Sequence, residues 1–216
     1  MEKYIIFDID DTLVETFINS YNIFCEMAKI YKCWKIDQKE FLEQYMKWNF
    51  DNNLQHFFWK IISINKSKKL YEETKKKFQK KKLINTKYFE KLLKNWYKIW
   101  ILTNWPEIKT NEKLKYLWVD KLCSIVFHEW NMQHKKPDSK VFDDIYSVIW
   151  TNKVSIIYIG DALVDYFATV NTNVTFYPVL TGYTTEQDFI EAGIDKTKIY
   201  KNINVLLDEL LQWTIS

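Results

Sequence analysis

The chain has 216 residues, 47% of them hydrophobic and 27% charged, with a formal net charge of +3. That is room for one domain with an insert and a sizeable core, and the charge is too small to imply a nucleic-acid partner. No apolar run approaches the roughly 18 residues of a membrane span. Cys25, Cys33 and Cys123 are odd in number and lack pairing spacing. With an N-terminus that enters a strand at once, this predicts a cytoplasmic protein without a signal peptide and without a membrane partner.

Tyr4 to Phe7 is a short β-favouring apolar run that stops at three carboxylates, Asp8, Asp10 and Asp11. Such a run reads as a buried strand of a parallel sheet. Side chains of a strand alternate, so Asp8 and Asp10 can emerge on one side at its end. Ligands of open α/β sheets bind beyond the carboxyl ends of the strands. Two acids placed there repel each other unless a proton or a cation lies between them, and the pattern points to a divalent metal. Asp11 reads as a loop acid.

Residues 17–31, 37–48 and 54–64 carry helical spacing, and the lysine-rich 66–82 is read as a solvated helical face. No strand signal interrupts residues 17–82, so the stretch is expected to be an all-helical insert. From about Asn85 strand and helix alternate. Helix is predicted over 89–93, 109–117, 139–149, 186–192 and 205–211, and strand over 98–102, 124–127, 154–159 and 174–177. Regular alternation means a doubly wound parallel sheet. The fold class is therefore α/β, Rossmann-like, with an inserted helical cap. The expected division is 1–15 with 86–216 for the core and 16–85 for the cap.

Three later segments carry polar residues suited to the same chemistry. Thr103 and Asn104 close the second strand, where a hydroxyl and free backbone N–H groups would hold phosphate oxygens. Lys135-Lys136-Pro137-Asp138 precedes a helix, and Lys136 can sit as a point charge against a phosphoryl group. Gly160-Asp161-Ala162-Leu163-Val164-Asp165 adds two carboxylates to an oxygen-rich site suited to Mg²⁺. His56, His128 and His134 have no ligand spacing and are read as structural.

In order, Asp8-x-Asp10-x-Thr12, Thr103, Lys136-Pro137 and Gly160-Asp161-x-x-x-Asp165 resemble the motifs of the haloacid dehalogenase-like hydrolases with a helical cap between the first and second motifs. The likeness covers nearly the whole chain and is weakest in the cap. It implies a Mg²⁺-dependent phosphatase acting on a small phosphorylated metabolite. Asp8 would be the nucleophile and Asp10 the general acid and base, its backbone carbonyl also on the metal. Asp161, with Asp165 behind it, would hold the ion, and Thr103 and Lys136 would bind the phosphoryl oxygens. A phosphomutase of the same superfamily and a non-catalytic binding protein are the alternatives. Neither the substrate nor the oligomeric state is legible.

Tryptophan is anomalous. The chain has ten Trp, three Gly and no Arg, whereas average usage would give roughly fifteen Gly. Trp96, Trp118 and Trp150 follow apparent helix ends, where a left-handed residue, normally Gly, is expected. Trp105 follows Thr103-Asn104, and reading Trp as Gly across 95–105 fits the resemblance better. A gene that spells glycine with UGA, translated by a table reading UGA as tryptophan, would give this pattern. The codons at Trp96, Trp100, Trp105, Trp118, Trp130 and Trp150 are then expected to be UGA.

Overall fold

The structure, a computed structural model, describes residues 2–47, 50–58, 62–151 and 154–212. These residues form two compact units, one of 1–15 with 82–216 and one of 16–81. The apolar run near the N-terminus forms β1 (Glu2–Phe7), with Tyr4 to Phe7 all buried. Burial on both faces is what a central strand of a covered parallel sheet requires.

The helical unit contains α1 (Phe17–Ile30), α2 (Gln38–Lys47), α3 (Phe50–Phe58) and α4 (Ile64–Lys75). Its centre is aromatic: the Phe24 ring lies 5.0 Å from Phe41, 5.7 Å from Phe57 and 5.6 Å from Phe58. Trp48, at the end of the second predicted helix, and residues 59–61 of the third lie outside the described residues. The third helix starts four residues before the expected Leu54, because Phe50 packs edge-on against Tyr71 at 4.6 Å. The fourth stops at Lys75 rather than Lys82. Lys75-Lys76-Lys77 and Lys80-Lys81-Lys82 put six like charges into eight residues, and the second three have no acidic residue at helical spacing, which disfavours a continuing helix. Lys68 pairs with Asp51 at 2.6 Å, Lys75 with Glu72 at 3.7 Å and Lys77 with Glu26 at 3.7 Å, so these lysines line a solvated, internally paired face.

The chain re-enters the α/β unit at Lys82, four residues ahead of the expected boundary. There Leu83 donates its N–H to the Leu13 carbonyl at 2.9 Å, and Ile84 is buried in the core. Then follow α5 (Lys87–Lys94), β2 (Tyr97–Leu102), α6 (Glu107–Leu117), β3 (Ile125–Phe127), α7 (Val141–Tyr146), β4 (Val154–Gly160), α8 (Leu163–Thr169), β5 (Val174–Pro178), α9 (Glu186–Glu191) and α10 (Ile203–Gln212). The helix expected over 139–149 is shorter than its pattern; after Tyr146 the chain continues in tight turns, such as Ile149 N–H to Tyr146 carbonyl at 3.0 Å. Helix α8 was not expected, since its seven residues hold too little periodicity to register.

All five strands are parallel, in the order β3-β2-β1-β4-β5. The order runs outward from β1 through β2 to β3, then resumes on the other side at β4. The reversal falls beside β1, where a doubly wound sheet opens its crevice. Alternate strand residues feed two cores. Ile5, Phe7, Ile99 and Ile101 pack with Phe89, Leu114 and Leu207 on one face; Tyr4, Ile6, Trp100 and Tyr158 pack with Phe142, Ala168 and Phe189 on the other. Trp100 is fully enclosed there, 4.5 Å from the Tyr4 ring and 5.5 Å from Phe127.

Phe89 is completely buried and lies 5.5 Å from the Phe7 ring, tying α5 to the strand that leads into the acid cluster. Phe89→Ala removes a ring from a close-packed site and is expected to cost about 3–5 kcal/mol of unfolding free energy, measured by urea denaturation.

Candidate active site

The polar groups singled out in the sequence sit just beyond the carboxyl ends of strands or in loops on that edge, except Asp165, which lies in the first turn of α8. Asp8 follows β1, Thr103 follows β2, Asp161 follows β4, and Lys136 lies in the loop between β3 and α7. The fold thus turns four sequence-distant segments toward one rim. Asp8 N–H donates to the Ile159 carbonyl at 2.9 Å and Thr103 N–H to the Phe127 carbonyl at 3.0 Å, which holds the strand ends in register.

Lys136 is the junction. Its Nζ lies 2.7 Å from Asp8 Oδ1, 2.6 Å from Asp165 Oδ1 and 3.0 Å from the Tyr158 hydroxyl. Tyr158 itself donates to Asp165 Oδ1 at 2.6 Å, and Asp165 Oδ2 accepts from the Ala162 N–H at 3.1 Å. Asp161 accepts from the Thr12 hydroxyl at 2.9 Å. Asp8, Asp161 and Asp165 are all buried, and each offers a carboxylate oxygen within 4.8 Å of the others.

Two glycines allow this crowding. A Cβ on Gly160 would meet the Asp165 carboxyl at 2.5 Å, and one on Gly182 would meet Asp161 Oδ2 at 1.8 Å. The chain after β5 therefore passes directly against Asp161. Thr181 secures that passage by donating its hydroxyl to the Asp11 carbonyl at 2.5 Å.

The electrostatics follow from burying three acids around one ammonium. Burial pushes the Asp8 carboxyl up to about 7; Lys136 pulls it back, while Asp165 and Asp10 add to the rise. Burial first, then Asp165 and Asp8, holds Asp161 well above the usual carboxylate range. Burial alone would lower the Lys136 ammonium, but Asp165 and Asp8 outweigh it and hold it above its ordinary value. One positive charge cannot compensate three negative ones in a medium of low dielectric. The donor set is oxygen only, hard and anionic, which fits a divalent cation of the Mg²⁺ or Ca²⁺ kind better than a thiolate- or imidazole-seeking one. Among the described residues, the carboxylates of Asp8, Asp161 and Asp165 are grouped closely enough to hold it.

The remaining expected residues divide. Asp10 is not in the acid cluster: its carboxylate is gripped by Lys113 of α6 at 2.5 and 2.7 Å. Lys113 also lies 4.9 Å over the Trp105 ring. Thr103 is buried, and its hydroxyl accepts from the Trp105 N–H at 3.3 Å. The Asn104 side-chain amide clasps the Lys136 backbone, donating to the carbonyl at 2.9 Å and accepting from the N–H at 3.0 Å. Asn104 thereby braces the loop that presents the lysine. Of the histidines, His56 meets Glu40 at 3.2 Å, His134 faces Asp144 at 3.4 Å, and His128 accepts from the Trp130 N–H at 3.3 Å.

Lys113, Tyr158, Thr12 and Gly182 take part without having been assigned a role from the sequence. Lys113 is one of three lysines on α6, 103 residues from Asp10, and no local pattern marks it. Tyr158 offered a faint signal, a phenol two residues before the Gly160-Asp161 turn.

A parallel sheet with a buried acid triad and a lysine at its carboxyl rim is an α/β scaffold whose carboxylate cluster could bind a divalent cation. The sequence profile of the haloacid dehalogenase-like hydrolases matches residues 5–179, and the chain belongs to that family. Solved structures with the same fold include a Thermotoga maritima protein assigned as a β-phosphoglucomutase, with TM-score 0.77 at 18% identity, covering 98% of this chain and 99% of that one. A Haemophilus somnus protein predicted to be a phosphoglycolate phosphatase superposes with TM-score 0.72 at 16% identity, covering 99% and 98%. A haloacid dehalogenase-like hydrolase from Bacteroides fragilis gives TM-score 0.69 at 18% identity, covering 95% and 100%. A search of the curated proteins found no match.

The raised Asp8 carboxyl has a consequence for stability. An unfolded Asp titrates near 3.9, while the folded, metal-free protein keeps Asp8 protonated up to about 7. The folded state therefore binds the extra proton, and its stability falls as pH rises across that window. Asp8→Asn removes the effect. Without divalent cations the variant is expected to gain stability relative to the parent between about pH 4 and 7, followed by urea unfolding. Saturating Mg²⁺ should narrow the difference.

Proposed function

We propose that the chain is a Mg²⁺-dependent phosphomonoesterase that works through an aspartyl-phosphate on Asp8. The observation that carries this reading is the convergence of Asp8, Lys136, Asp161 and Asp165 in one buried cluster at the carboxyl rim of the sheet.

In this reading an Asp8 carboxylate oxygen attacks phosphorus as the ester P–O bond breaks. Asp10 donates its proton to the departing alkoxide. A water then gives a proton to the Asp10 carboxylate and attacks the phosphoryl group, which releases inorganic phosphate and restores Asp8. Mg²⁺ held by Asp8, Asp161 and Asp165, with the Asp10 carbonyl, would supply the positive charge that lets an anionic nucleophile meet an anionic phosphate. Lys136 and the Thr103 hydroxyl would take the phosphoryl oxygens. Residues 16–81 would act as the cap that selects a small phosphorylated metabolite, and the family resemblance is what supports that role.

Lys113 is the residue that positions Asp10. To act as an acid, Asp10 must exchange its ion pair for a proton, so the pair is expected to set when the step can occur.

Two measurements test the reading. Phosphate release from an aryl phosphate should require Mg²⁺, vanish on chelation, and fall by on the order of 10³ or more in Asp8→Asn. Release that survives Asp8→Asn rules out the nucleophile. A phosphomutase would instead return the phosphoryl group to a sugar phosphate without net release. Lys113→Met should lower kcat about tenfold with little change in KM and shift the pH–rate profile, the signature of a misplaced acid and base.

A further inference from the structure

Three helices of the α/β unit end where one residue turns into the left-handed region, and they can be compared directly. Helix α9 ends at Gly193, φ 101°, with Gly193 N–H donating to the Ile190 carbonyl at 2.9 Å and Ile194 N–H to the Phe189 carbonyl at 3.0 Å. Helix α6 ends with the same pair of bonds. Trp118 N–H donates to the Lys115 carbonyl at 3.0 Å and Val119 N–H to the Leu114 carbonyl at 3.1 Å. Its turning residue is Trp118, φ 67° and ψ 30°. The accompanying apolar contact partners are in place, since Val119 and Leu114 are both buried. Helix α5 ends alike, with Trp96 at φ 64° and its N–H on the Leu93 carbonyl at 3.1 Å.

This backbone motif wants glycine, because a Cβ there crowds the following carbonyl. Asp11, Lys32 and Asn171 also have positive φ. Lys32 ends α1 with the same pair of bonds, its N–H on the Lys29 carbonyl at 3.0 Å and Cys33 N–H on the Ala28 carbonyl at 2.8 Å, so a residue other than glycine can hold this turn at a cost. The short polar side chains of Asp11 and Asn171 tolerate positive φ. An indole has no such excuse, and it gains nothing in return: Trp96 is 87% exposed and Trp118 81%. A side chain that normally earns its place by burial stands in solvent on a backbone it disfavours.

We propose that positions 96 and 118 are glycine positions of the working protein, written in the gene as UGA and read as glycine by the cell that makes it. The count of three Gly against ten Trp is what such a code would leave behind. The same decoding would extend to Trp105, beside the Thr103 hydroxyl, and would remove the indole now lying under Lys113. Trp105 and Trp150 do not have positive φ, and Trp100 is packed in the core, so the proposal rests on the two helix ends alone.

Three readouts test it. The codons for 96 and 118 should both be UGA, and UGG at either overturns the proposal. Peptides of the protein purified from its own cells should carry the mass of glycine at both positions; tryptophan mass overturns it, even with UGA codons. In the recombinant chain, Trp118→Gly and Trp96→Gly should each raise the unfolding midpoint by roughly 2–4 °C, and Gly should exceed Ala at the same position. Ala equal to or better than Gly at both sites overturns it, because only a left-handed backbone makes glycine the more stable choice.

Discussion

Three carboxylates held out of water within reach of a single ammonium are the constraint from which the α/β unit is built. Left to themselves, Asp8, Asp161 and Asp165 would repel one another or take up protons. Lys136, fully enclosed between Asp8 and Asp165, compensates part of that cost. The charge that remains uncompensated is of the kind a divalent cation on oxygen donors would offset.

The surroundings follow from holding that cluster still. Gly160 and Gly182 leave out side chains where any Cβ would strike an Asp. Tyr158 reaches up from the sheet to bridge Lys136 and Asp165, and Asn104 fastens the loop from which Lys136 projects. These groups fix the distances within the cluster. Lys113 does for Asp10 what Lys136 does for Asp8, from a helix on the neighbouring βα segment. One lysine thus anchors each of the two acids at the head of the chain.

Much of this was legible in one dimension. Strand β1 announced itself because four apolar residues before an acid cluster have few other readings, and Asp161 and Lys136 followed because their segments carry turn chemistry next to apolar runs. Helical ends were less legible. The lysine row after Lys75 keeps helical spacing, but charge repulsion ends the helix there, and Phe50 joins its helix through a ring on another helix. That the Asn104 amide meets the Lys136 backbone was not legible, because the contact spans 32 residues.

The sequence by itself determined the alternation of strand and helix, the identity of the acids, and the oddity of tryptophan at glycine places, because these are written as local composition and period. Only the tertiary structure decided which groups share a pocket. It paired Lys113 with Asp10 across 103 residues, Lys136 with Asp8 across 128 and Thr12 with Asp161 across 149. It also showed that two indoles stand on left-handed backbone. Such facts depend on how the sheet order brings strand ends together and how the chain must bend between them, and no window along the chain contains them.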